Sequence, residues 1–200
     1  MNLLSDLAYT QFNDFCIHVE KIQYGWMDIT VSSKDNYISY SASYISDPLN
    51  DLLAASVYFI KKNAKYLDYH SVNRFDEYLY IFHDLEPDLI TWLFKVDENQ
   101  LTLLIWTDMP NNFHELIEGH FDKESIQVQI IDEPIDLFQN LSFAIKGPII
   151  TFIKVLVDTF EELNNLKKPE DDSEYSLWGY NYSLENLNIL KEWINTNNVS

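Results

Sequence analysis

The sequence predicts an α+β domain: an antiparallel sheet, or one mixed with a parallel pairing, of six to seven strands packed against helices. Three observations carry this. Apolar runs of period two crowd the first half of the chain, acid-rich or glycine-marked turns separate them closely enough for hairpins, and helical stripes follow the third and the last of them. A length of 200 residues suits one domain, 1–200, in which 167–174 is an acidic linker before a C-terminal helix.

From Phe15 to Ile22, Phe15, Ile17 and Val19 alternate with Cys16, His18 and Glu20, the period of a half-buried strand. Tyr24-Gly25 ends that run. Trp26 to Ser32 then sets Met27, Ile29 and Val31 against Trp26, Asp28 and Thr30. Lys34-Asp35-Asn36 turns into a third strand, Tyr37 to Ile45, with Ile38, Tyr40, Ala42 and Tyr44 on one face and Ser39, Ser41 and Ser43 on the other. The pattern is an antiparallel meander with one wet face.

Asp47-Pro48 starts a helix: the carboxylate accepts from first-turn amides, and proline lacks a donor that would be unpaired there anyway. Leu49, Leu52, Leu53, Ser56 and Phe59 or Ile60 keep helical spacing to about Lys62, and Lys61 and Lys62 suit the dipole's C-terminal end. Asn63 to Arg74 reads as a polar connection. Strands are expected at Glu77 to His83, Leu89 to Val96 and Leu101 to Thr107, the latter two apolar on both faces and therefore central. A seventh is expected at Ile126 to Ile131. Leu137, Phe138, Leu141 and Ile145 fit a helical stripe, although a strand is the alternative there, and Gly147-Pro148 should break it. The helix then resumes through Leu166 on Ile149, Phe152, Ile153, Leu156, Phe160 and Leu163, and Ser183 caps a last helix carrying Leu184, Leu187, Leu190 and Ile194.

Thirteen basic residues against 32 acidic ones give a formal charge of −19, which repels phosphate backbones and anionic bilayers. The expectation is no nucleic acid and no membrane among the partners. The single cysteine, Cys16, forms no internal disulfide, and Met-Asn-Leu-Leu-Ser-Asp offers no signal-peptide pattern, so a reducing, cytoplasmic location is expected. His114-Glu-Leu-Ile-Glu-Gly-His120 superficially resembles a helical zinc motif, but its histidines are six apart instead of four, about 240° around a helix. Neither metal nor other cofactor is expected. Cys16 and His18 share one side of a strand nearly 7 Å apart, too far for direct thiol activation. The glycine patterns of nucleotide sites and nucleophile elbows are missing.

Acids cluster at Asp132, Glu133 and Asp136, at Asp158, Glu161 and Glu162, and at Glu170, Asp171, Asp172 and Glu174. These are either solvated faces or a docking surface for a basic partner, and Glu170, Asp171, Asp172 and Glu174 are the preferred binding residues. Thirteen Tyr and five Trp invite an interface reading too, although most lie in expected strands where aromatics serve as core.

Gly25-Trp-Met-Asp-Ile29, Ser43-Tyr-Ile-Ser-Asp-Pro-Leu-Asn-Asp-Leu-Leu-Ala-Ala55, Asp84-Leu-Glu-Pro-Asp-Leu-Ile-Thr-Trp92 and Trp178-Gly-Tyr180 occur in order. In these motifs the chain resembles a group of uncharacterised bacterial cytoplasmic proteins, with Asp88 standing where that group would carry glycine. The motifs are turn, cap and core signals without attached chemistry. Members of such groups look like the small acidic antidotes that bacteria carry against rivals' toxins. The resemblance implies a non-catalytic, immunity-type protein that occludes a basic toxin. Two alternatives stand beside it: a hydrolase or transferase with an acid/His site at His83, Asp84 and Glu86, and a homo-oligomeric structural protein that buries its aromatics against a second copy.

Overall fold

The computed structural model describes residues 10–12, 14–34, 36–63, 72–75, 78–85, 88–107, 141–166, 168 and 178–197. Nine strands occur among them: β1 (Thr10–Gln11), β2 (Cys16–Gln23), β3 (Trp26–Ser33), β4 (Asn36–Ser43), β5 (Val72–Phe75), β6 (Tyr78–Asp84), β7 (Leu89–Asp97), β8 (Gln100–Thr107) and β9 (Leu141–Pro148). The helices are α1 (Pro48–Lys61), α2 (Ile149–Leu163) and α3 (Leu184–Asn197), with a short 3₁₀ turn at Trp178–Tyr180. Among the described residues no helix is long and apolar enough to cross a membrane. The strand expected at Ile126 to Ile131, the His114 to His120 string, and the acids Asp132, Glu133 and Asp136 lie outside the described residues.

The fold is α+β, but the expected single sheet is replaced by two. One has the order β1-β9-β8-β7-β6-β5, antiparallel throughout its body with β1 added in parallel to β9; the other is the meander β2-β3-β4. Burial explains the division. The meander is wet on one side, with Ile17, Val19, Ile22, Met27, Ile29, Val31, Ile38 and Ala42 buried on the other, so it closes a core as a lid. Strands β7 and β8 must be covered twice: Ile90, Trp92, Phe94, Leu103 and Ile105 enter the main core, while Leu93, Leu104 and Trp106 pack with Tyr80 on the opposite face. Tyr44, expected on the meander's buried face, is 43% exposed because β4 ends at Ser43.

Two further readings are corrected. The connection expected from Asn63 to Arg74 runs into β5 at Val72, which pairs with β6 from Val72↔Ile81 to Phe75↔Tyr78. The stripe that includes Leu141 and Ile145 is strand β9, paired with β8 at Leu103↔Ile145. In it Phe143, Ile145 and Gly147 are buried and Ser142, Lys146 and Pro148 exposed, so period two prevails once a partner strand is present. Gly147 permits a close approach there, since a Cβ would stand 2.1 Å from Phe12 Cδ2. Helix α2 begins immediately after Pro148 and ends at Leu163, not Leu166.

Helix α1 starts where expected. Asp47 accepts from the Asn50 amide at 3.4 Å and from Asn50 Nδ2 at 2.8 Å. Asn50 in turn accepts from the Ser183 amide at 2.7 Å and donates to Asn181 O at 3.1 Å, tying the start of α1 to the start of α3. Ser183 caps α3 by accepting from the Asn186 amide at 3.2 Å. Helix α2 lies along β2, where buried Thr159 donates from Oγ1 to Ile17 O at 2.7 Å.

Candidate functional site

Two places carry more chemistry than a core or a solvated surface requires. The first is interior. His83 on β6 is fully buried beside Tyr40 of the meander and Trp92 of β7. Trp92 Nε1 donates to Tyr40 OH at 3.1 Å, and the same phenol shares a hydrogen bond with His83 Nδ1 at 2.6 Å. His83 Nε2 meets no hydrogen-bond partner among the described residues. Burial pushes the His83 pKa down to about 3 and holds the Tyr40 phenol above its ordinary range. His83 is therefore neutral at pH 7, and its sealed ring gives a substrate no approach. Asp84 follows at the strand's end, where its amide donates to Ser46 Oγ at 3.1 Å; Glu86 lies outside the described residues. The structure does not bring an accessible acid to an accessible histidine at this turn.

The second place is the outer face of the meander. In register across its strands run Cys16–Ser32–Tyr37, His18–Thr30–Ser39, Lys21–Asp28–Ser41 and Gln23–Trp26, the last row ending on the fully buried Ser43. Hydroxyls knit the middle of this face. Thr30 Oγ1 donates to Glu20 Oε1 at 2.8 Å, Thr30 and Ser39 share a hydrogen bond at 2.8 Å, and Ser41 donates to Asp28 Oδ1 at 2.5 Å. A bulge between Val19 and Lys21 exposes both Glu20 and Lys21 opposite Asp28.

Aromatic side chains border that polar field. Tyr24 is 81% exposed, Tyr37 76% and Trp26 37%. Tyr44, just past β4 and 43% exposed, is tied to the same end by its backbone, whose amide donates to Gly25 O at 2.8 Å. The β2–β3 hairpin turns on Tyr24-Gly25, with φ of 52° at Tyr24 and 78° at Gly25. A two-residue hairpin turn with both φ positive favours Asn or Asp first, so a bulky tyrosine there is held in an unfavourable backbone region.

The Cys16 and His18 side chains each have a separate partner. Cys16 Sγ and Ser32 Oγ are 2.9 Å apart, and His18 Nδ1 lies 3.1 Å from Glu162 Oε2 on α2. This contact joins the outer face to Asp158, Glu161 and Glu162. Partial burial, then the neighbouring Glu161 and Glu162 charges, raise the Asp158 carboxyl above its usual range. Among the described residues no three His, Cys, Asp or Glu converge as a metal would require. Glu170, Asp171, Asp172 and Glu174 lie outside the described residues. Sequence reasoning assigned Trp26, Asp28 and Thr30 to one face but missed that face as a candidate site. The available signal was a tyrosine occupying a hairpin-turn position that Asn or Asp would fill more easily. No protein-family model, curated protein or solved structure matches this chain.

Proposed function

We propose that this chain is a non-catalytic binding protein of immunity type that acts in a bacterial cytoplasm by occluding a basic toxin. The observation that carries the reading is the open face of β2–β4, where exposed aromatics border ordered hydroxyls and carboxylates on a chain of formal charge −19. Occlusion needs a rigid scaffold and a complementary surface, and complementary charge accelerates encounter with a cationic partner. The sealing of His83 favours binding over the hydrolase alternative, because a general acid or base must reach its substrate.

The test is growth. Expressing the gene immediately upstream of this one should poison a bacterial host, and co-expressing this chain should restore growth through a stoichiometric complex. Normal growth without this chain, or continued poisoning when both proteins are soluble and abundant, would overturn the reading.

A further inference from the structure

We infer that the basic partner docks on the outer face of β2–β4, with Trp26 as anchor, Tyr24 beside it at the hairpin tip, and Glu20 and Asp28 as acceptors for cationic side chains. This rests on the binding reading above and adds where contact is made.

Composition is the first argument. The face combines Tyr and Trp with Ser and Thr, and such surfaces bind proteins well because rigid aromatics supply contact area while short hydroxyls adapt their hydrogen bonds. Preorganisation is the second. Thr30 and Ser41 already orient the Glu20 and Asp28 carboxylates, and each carboxylate retains lone pairs for an arginine or lysine.

Exposure is the third. Tyr24 shares its positive φ with Lys34 and Glu98 at the other two-residue hairpin turns, so the backbone does not single it out, but 81% of its surface is open to a partner.

Charge selects the occupant. Lys21 stands opposite Asp28 in register, and the His18–Glu162 contact extends the surface onto the flank bearing Asp158 and Glu161. Lys191 reaches Glu161 at 3.2 Å, Lys154 acts on Asp158, and Lys34 stands at the β3–β4 turn, but Glu20, Asp28, Asp158, Glu161 and Glu162 outnumber these and Lys21, so the surface keeps an acidic excess. A cationic protein fits it better than a second copy of this acidic chain.

Tyr24→Asn separates binding from folding, since asparagine suits the turn while removing the aromatic ring. The probe is the purified product of the upstream gene, measured by calorimetry. Tyr24→Asn should leave thermal stability unchanged or raised and weaken Kd about tenfold; Trp26→Ala should weaken it about thirtyfold. Asp28→Asn should slow association at low salt, and Leu184→Ala on α3 should leave binding unchanged. If the unaltered chain forms a complex but Tyr24→Asn binds within about twofold of it, the docking face is wrong while the binding reading stands. If the unaltered chain forms no complex, both fall. A concentration-dependent homodimer abolished by Tyr24→Asn would assign the face to a second copy and overturn the proposal.

Discussion

His83 shows how one buried side chain makes the fold sensitive to pH. Its folded pKa of about 3 lies below the ordinary 6.5, so between those values the unfolded chain binds a proton that the folded chain excludes. The resulting stability is fully present above pH 6.5 and is lost as pH falls toward 3, at up to about 1.4 kcal/mol per pH unit. Urea midpoints should therefore drop between pH 7 and pH 4. His83→Gln retains a hydrogen-bonding amide for Tyr40 but cannot titrate, so its profile should be shallower over the same interval. Parallel profiles for the two proteins would place the acid sensitivity elsewhere.

At the scale of elements, caps were easier to read than periods. Asp47 accepts from the Asn50 amide, as the Asp-Pro pair predicts, but burial raises its carboxyl above the usual range despite the hydrogen bonds from Asn50. Asp47→Ala should cost about 1 kcal/mol in chemical denaturation. Asp47→Asn keeps an oxygen at the cap and avoids burying a charge, so its midpoint should stay within about 0.5 kcal/mol of the parent. Equal losses from both substitutions would mean that the charge, not the cap, stabilises α1. Strand β9 is the contrasting element. Leu141 and Ile145 satisfy the helical period, and Phe143, Ile145 and Gly147 satisfy the strand period in the same few residues. Pairing with β8 decides between them because it satisfies the β9 backbone while placing Phe143 and Ile145 in the core.

For the whole molecule, the charge of −19 acts at a distance that no single contact spans. Association with a cationic partner should be fastest at low salt and slow as screening shortens to about 8 Å at physiological ionic strength. Glu170, Asp171, Asp172 and Glu174 are proposed contributors to this steering. Replacing all four by Asn or Gln should reduce the low-salt on-rate and flatten its salt dependence, with dissociation barely altered. Stopped-flow association across a salt series checks this; an unchanged slope would leave the segment as a solvated linker.

The sequence by itself determined the α+β class, the meander with its wet face, the central position of β7 and β8, and the starts of α1 and α3. Each rests on nearest-neighbour physics: side-chain alternation, a cap oxygen three residues from its amide, or an apolar run too dense to leave one face in water. Only the tertiary structure decided that the strands divide into two sheets, that β1 joins β9 in parallel, that 141–148 is extended, and that His83 is sealed beneath Tyr40. It also brought the backbone of Tyr44 to Gly25 at the tip of the β2–β3 hairpin. Those outcomes depend on contacts between residues far apart in the chain, such as Tyr40 with His83 and Trp92, or Thr10 opposite Ile145. Local periodicity constrains which side a residue presents, but the packed core decides what meets it.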